Sequence, residues 1–248
     1  ILIQGDISLE GILVATTKDW FYGSMVLGAM FILVFTLMVI TTQKGGMSVV
    51  SVASKMSVAI PVIFVIIYYN ESLGILKIIG IVTALISVYL VSVRRKKGLS
   101  IDMKYFIYPL LVFIGSGIIE SSIKFLENTY VPNGEISLFS ANTFFFACVT
   151  GLIVFGLRKL KHKTSFKRKD LLGGILLGIP NYFSIYFFIL ALRIEGLDSS
   201  SIFIINNVSI VLLSTILGIL FFKERMITKN WVGIAVAILS IILITYTQ

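Results

Sequence analysis

Residues 71–87 read ESLGILKIIGIVTALIS, and residues 224–240 read ERMITKNWVGIAVAILS. Glu71, Gly80 and Ser87 recur as Glu224, Gly233 and Ser240 at identical spacing, an offset of 153 residues. Upstream, Gly23 and Gly28 recur as Gly173 and Gly178 at an offset of 150, so a three-residue insertion separates the two matched blocks. Each copy carries three consecutive apolar stretches, about 19–94 and about 170–247, and two more, 105–126 and 137–157, precede the second copy. The repeating unit is therefore five helices. Five is odd, so the two copies cross a bilayer in opposite senses. The chain divides into a first repeat, residues 1–97, holding only the last three helices of its unit, and a second repeat, residues 104–248, holding all five.

A spanning helix needs about 20 mostly apolar residues. Eight stretches qualify, at roughly 20–42, 47–69, 73–93, 105–126, 137–157, 171–192, 199–222 and 231–247. None alternates in the manner of a membrane β-strand. The expected fold is an all-α integral membrane bundle of inverted five-helix repeats, with eight of ten spans present. The chain starts at Ile1 rather than Met, and Ile1 to Ile3 read as the tail of an earlier helix, so the first two helices are expected to be missing by truncation.

Composition agrees. Only 13% of the residues are charged, against about 25% in ordinary soluble domains, and 57% are hydrophobic, with a mean hydropathy of +1.01. The net charge of +9 does not make a nucleic-acid surface, because the positive residues fall in short loops between apolar runs. Arg94, Arg95, Lys96, Lys97 and Lys104 fill one loop; Arg158, Lys159, Lys161, Lys163, Lys167, Arg168 and Lys169 another; Lys223, Arg225 and Lys229 a third; Lys44 sits in a fourth. With eight crossings these four loops share one side. The opposite loops hold Lys18 alone among basic residues, with Asp6, Glu10, Asp19, Glu71, Glu127, Glu135, Glu195 and Asp198, and Lys77, Lys124 and Arg193 at the outer helix ends do not reverse the balance. The positive-inside rule makes the basic side cytoplasmic. The expected address is a multi-pass position in a bacterial cytoplasmic membrane.

The chemistry that the chain lacks narrows its function. It has no G-x-x-x-x-G-K-[ST] loop for nucleotide phosphates and no H-E-x-x-H zinc motif. One cysteine, Cys148, and one histidine, His162, cannot assemble a metal centre or a disulfide framework. No cofactor is expected, and catalysis is not.

Ionisable groups inside a span cost about 2.5–3.5 kcal/mol each on insertion scales, so they mark function or a pairing. Lys55 lies nine residues past Gly46, roughly 13 Å along a helix, and is a candidate to hold an anionic or zwitterionic solute. Glu120 is a candidate proton carrier or partner of Lys55; the competing reading is an i,i+4 pair with Lys124. Asn206 and Asn207 fall almost where Ser54 and Lys55 fall in the first copy, which suggests one shared cavity. Pro180 permits a kink in span 171–192, and Asn181 and Tyr182 beside it could hydrogen-bond a solute. Gly174 and Gly178, like Gly115 and Gly117, read as places where helices approach closely. Glu71 and Glu224 sit at helix ends, where a following helix N-terminus would stabilise a carboxylate.

The run from Pro61 to Val93, with Asn70-Glu71, Gly80 and Ser87, resembles the end of one half of an EamA-type member of the drug/metabolite transporter superfamily. So does Phe221-Phe222-Lys223-Glu224-Arg225 followed by Trp231-Val232-Gly233. Pro61 matches the proline typical of that helix, and Ser214 stands near its counterpart. The resemblance implies ten helices in two repeats, and carrier-type transport of a small metabolite, such as an amino acid, without ATP hydrolysis. It leaves open a nucleotide-sugar or sugar-phosphate carrier. The readings from other classes are a membrane enzyme and a non-transporting scaffold. The partners implied are a small-molecule substrate, the lipid bilayer and a coupling ion such as the proton.

Overall fold

The computed structural model describes residues 15–72, 74–92, 105–161, 168–222 and 228–246. Glu224 and most of the basic loop residues counted above lie outside them. The described residues form nine α-helices and no strand: α1 Phe21–Gly45, α2 Met47–Met56, α3 Ala59–Tyr68, α4 Ile75–Ser92, α5 Ile107–Thr129, α6 Ile136–Lys161, α7 Arg168–Leu192, α8 Ser199–Phe222 and α9 Thr228–Tyr246. Seven helical segments are long and apolar enough to cross a bilayer, with α2 and α3 together making one of them, and the apolar stretch Ile75–Val91 is shorter. Outward-facing Leu, Ile and Phe along these helices are the surface that a bilayer, not water, would cover.

The chain forms two compact units. One comprises Ile1–Leu33 with Ser122–Arg193, and the other Val34–Ser121 with Ile194–Gln248.

In the first unit α6 packs against α7. Gly28 of α1 lets the backbone of α6 come very close: a Cβ at this position would lie 2.6 Å from the Thr143 carbonyl oxygen and 2.7 Å from the Ala147 nitrogen. Charge stitches the ends of the helices. Glu135 accepts hydrogen bonds from the Lys18 ammonium at 2.5 Å and the Trp20 indole at 2.7 Å, while the Trp20 ring meets Phe139 edge-on. Glu127 pairs with Lys124 at 3.1 Å and with Arg193 at 2.9 Å. The rest of the Arg193 guanidinium donates to the Glu127 and Val131 carbonyls and to Asn133. These carbonyls lie at the C-terminal end of α5, where a helix leaves acceptors without internal partners. The pairing lets α5 run to Thr129, past the 105–126 stretch that hydropathy alone marks.

In the second unit α4 and α9 pack antiparallel through matched small residues. A Cβ on Gly80 would meet Ile244 at 2.6 Å, and a Cβ on Gly233 would meet Leu90 and Val91 at 2.8–2.9 Å. Gly80 and Gly233 are 153 residues apart in sequence, and so are Val91 and Ile244. The same contact is thus made twice, with the partners exchanged. Ser87 and Ser240 are both buried, and each donates back to the alanine carbonyl three residues earlier, Ala84 and Ala237. Asn230 of α9 donates to the Leu90 and Val91 carbonyls near the end of α4.

Glu71 departs from the expected role. It does not serve the helix that follows it. Its two carboxylate oxygens accept from the Ser199 and Ser200 backbone N–H groups and the Ser200 hydroxyl, capping the N-terminus of α8. Lys77, only 2% exposed, bridges Glu71 and Asp198. This cap joins the chain at Glu71 to α8.

The glycines also divide differently from expectation. Gly115 and Gly117 do allow close approach, to Val34 and Ile60, but a Cβ on Gly174 or Gly178 would meet nothing within 4 Å. The reason is that α7 presents that face outward, with Leu171, Leu172, Leu176 and Leu177 exposed around it. Gly28→Ala should therefore lower the thermal unfolding midpoint, because a backbone cannot yield to the added methyl group; overpacking costs about 1–3 kcal/mol. Gly178→Ala, at the matching place in the other copy, should leave the midpoint unchanged or raise it, since alanine favours a helix over glycine by about 1 kcal/mol. Equal losses at both positions would show that the packing difference is not real.

Candidate functional site

The span holding Lys55 is not one helix. Pro61 has no N–H to give, so the carbonyl of Ser57, four residues back, loses its α-helical partner. That carbonyl instead accepts the Ile60 N–H at 2.9 Å, a tighter turn, with Ser57 and Val58 at φ,ψ of −59°, −19° and −55°, −22°. The Ser57 hydroxyl turns back onto the Ser54 carbonyl at 2.6 Å. The result is a break between α2 and α3, with Lys55 in the last turn of α2. In the second copy Ser214 stands where the proline would be, its hydroxyl donates to the Val211 carbonyl, and α8 runs unbroken from Ser199 to Phe222. The other proline expected to matter, Pro180, is accommodated inside a continuous α7.

Lys55 and Glu120 are brought together in the second unit. Each is half-buried, and each feels the charge of the other. No hydrogen bond or ion pair joins either side chain to any described residue, and the Glu120 Oε2 atom is fully buried without a partner. Lys124, the rival partner on the same helix, is engaged by Glu127. One turn before Glu120, the Ser116 hydroxyl is also buried and unpartnered. Ser116 is not among the candidates that the sequence alone brought forward. Its i,i+4 spacing to Glu120 was the available signal.

Asn207 is 4% exposed and donates to the Phe203 carbonyl of its own helix at 3.3 Å. It faces a small cavity bounded by Val58 and Val62 of the broken span, Ala84 and Val88 of α4, and Ile204 of α8. Asn206, next to it, is half-buried and makes no hydrogen bond with a described residue. Asn181 and Tyr182 belong to the first unit. Asn181 is half-buried with no hydrogen bond to a described residue. The Tyr182 hydroxyl reaches the Ser137 carbonyl at a long 3.4 Å, and its ring meets Phe144 edge-on and stacks on Tyr186. Asn142 of α6 is half-buried and donates to the Ser24 hydroxyl at 2.6 Å. Among the described residues no group of three or more His, Cys, Asp or Glu side chains could hold a metal ion.

A half-buried lysine and carboxylate in a unit with a broken helix, among membrane-length apolar helices, is an arrangement suited to a carrier. The profile of the EamA-like transporter family matches residues 107–246, more than half of the chain. The chain belongs to that family. It is thereby an integral, multi-pass membrane protein of a transporter family within the drug/metabolite transporter superfamily. An uncharacterized protein of Haemophilus influenzae is 27% identical over 223 residues, covering 90% of this chain and 74% of that relative. A solved crystal structure superposes with a TM-score of 0.69 at 14% identity, covering 90% of this chain and 77% of the other. That likeness shows a shared fold. The membership fits the helical inventory, and it accounts for the Phe221–Gly233 signature and the proline at position 61 that first suggested the family.

Proposed function

We propose that this EamA-like protein is a secondary transporter that moves a small polar metabolite, an amino acid or related solute, across the membrane by alternating access. The observation that carries this reading is the pair Lys55 and Glu120: two opposite charges, deep in membrane-length helices, near enough to influence each other and yet unpaired. A structural ion pair would close to hydrogen-bond distance, because an uncompensated charge in a dry interior is costly. Charges held apart leave room for a guest that carries charges of its own.

The break after Lys55 supports the same reading, since interrupted helices near mid-membrane build substrate sites in many carriers. Asn206 and Asn207 of α8 belong to the same unit as Lys55 and Glu120 and are further candidate solute contacts, while Asn181 and Tyr182 are candidates in the other unit. The twice-made glycine contact between α4 and α9 supports an inverted repeat of residues 1–97 and 104–248. Glu120 is suited to carry a coupling proton. The cytoplasmic membrane of a bacterium, with the Lys44 and Arg158 ends of α1 and α6 inward, is the proposed location.

The test is flux through proteoliposomes that contain the purified chain, with amino acids, sugars, nucleosides and organic cations offered in turn. Lys55→Ala should reduce flux of the accepted solute at least tenfold while the protein stays monodisperse and folded. Undiminished flux in that variant would remove Lys55 from the solute path and take this reading with it.

A further inference from the structure

Serine in a membrane helix ordinarily returns its hydroxyl proton to its own backbone. Ser57, Ser87, Ser121, Ser214 and Ser240 each donate to a carbonyl three or four residues back, at 2.6–3.0 Å. Ser116 is 8% exposed and makes no such bond. One turn further along α5, Glu120 Oε2 is equally buried and equally unpartnered. Residues at i and i+4 share a face, with Cβ atoms about 5–6 Å apart. The flanking glycines press the same stretch of α5 against its neighbours, Gly115 onto Val34 and Gly117 onto Ile60 just beyond the helix break. The two oxygens are thus held in a closed setting, not on a loose surface.

A buried polar atom left without a partner costs about 1–3 kcal/mol. Two of them on one face of one helix therefore point to a guest that satisfies both. The carboxylate asks for positive charge, and the pair of oxygens asks for a head group with more than one hydrogen to donate. Lys55 is a cation of the same unit with no hydrogen bond to a described residue, which opposes a bare metal ion and favours a guest with an acid group beside its cationic one. A primary ammonium meets all of these demands, because it has three donors and a single positive charge.

We propose that Ser116 Oγ and Glu120 Oε2 form a subsite for the primary ammonium group of the transported solute, whose acid group faces Lys55. This rests on the transport reading and narrows its substrate to short zwitterions with a free amine. Ser116 is then a residue that positions the substrate, and the hydroxyl itself matters more than the small volume of the side chain.

The purified full-length chain in detergent is heated with each of the common L-amino acids, their N-acetyl derivatives, their methyl esters, a dicarboxylate, a sugar, a nucleoside, or sodium chloride alone. At least one free amino acid should raise the unfolding midpoint, and neither its N-acetyl derivative nor its ester should. Ser116→Ala should weaken that binding about tenfold, the loss expected for one hydrogen bond to a charged group. Ser116→Thr, which keeps the hydroxyl, should retain it, and this variant also guards against a simple packing defect at the site. Glu120→Gln should weaken binding further than Ser116→Ala. The subsite is overturned if the N-acetyl derivative binds as well as the free amine, if Ser116→Ala binds unchanged, if sodium alone gives the Glu120-dependent shift, or if no amino acid binds. A sugar, nucleoside or dicarboxylate that binds in a Lys55-dependent way would sink the ammonium subsite and leave the transport reading standing. Flux that survives Lys55→Ala would sink both.

Discussion

Replacing Glu127 by alanine is expected to lower the stability of the folded chain by about 3–5 kcal/mol, the range for stripping one partner from a buried ion pair. The carboxylate is 3% exposed and stands between two cations, Lys124 and Arg193, which are themselves 7% and 16% exposed. Without it two positive charges remain in a largely dry setting. The Arg193 guanidinium also loses the anchor that aims its other N–H groups at the carbonyls ending α5. Glu127→Gln, which keeps an acceptor but no charge, should fall between wild type and alanine. Denaturation midpoints in one detergent at one salt concentration measure this. A change below about 0.5 kcal/mol, typical of an unimportant surface site, would mean that the cluster is solvated.

The second large effect concerns Lys55 and Glu120, and it appears in two readouts that move apart. Neutralising either residue alone, as Lys55→Met or Glu120→Gln, should cut flux by about a hundredfold, equivalent to near 3 kcal/mol of lost interaction. Each single change should also destabilise the fold, because the remaining charge has lost an opposite charge in its own unit. The double variant should recover much of that stability, as removing both members of a buried pair often does, and none of the flux. Such non-additivity is the signature of two groups in one local network. Stability losses that simply sum would show that the two charges do not sense each other.

Much of the fold was legible because the membrane imposes length and polarity on every segment. The stretches 20–42, 171–192 and 199–222 correspond closely to α1, α7 and α8. The recurring spacing was visible in three residue types, and two of its glycines, Gly80 and Gly233, are the contact points of α4 and α9. What sequence could not supply were partners from distant segments. Glu71 sits before α4, so local logic assigned it there, yet it caps α8, which begins 128 residues later. The end of α5 was misjudged because Lys124 and Glu127 look expensive until Arg193 is seen beside them. Of the site, Lys55 and Glu120 stood out as charges in apolar runs. Ser116 did not, because a serine that bonds its own helix and one that does not are identical as letters.

The joint at Ser57 and Val58 exists in only one of the two related spans. A segment already divided can tilt its Lys55-bearing end by adjusting few dihedrals, whereas α8 must break regular hydrogen bonds to make the same excursion. In the alternating-access cycle proposed above, arms this unequal in stiffness would favour one access state over the other. In that proposed cycle, exchanging the two residue types between positions 61 and 214 is expected to change which face the empty protein prefers to show.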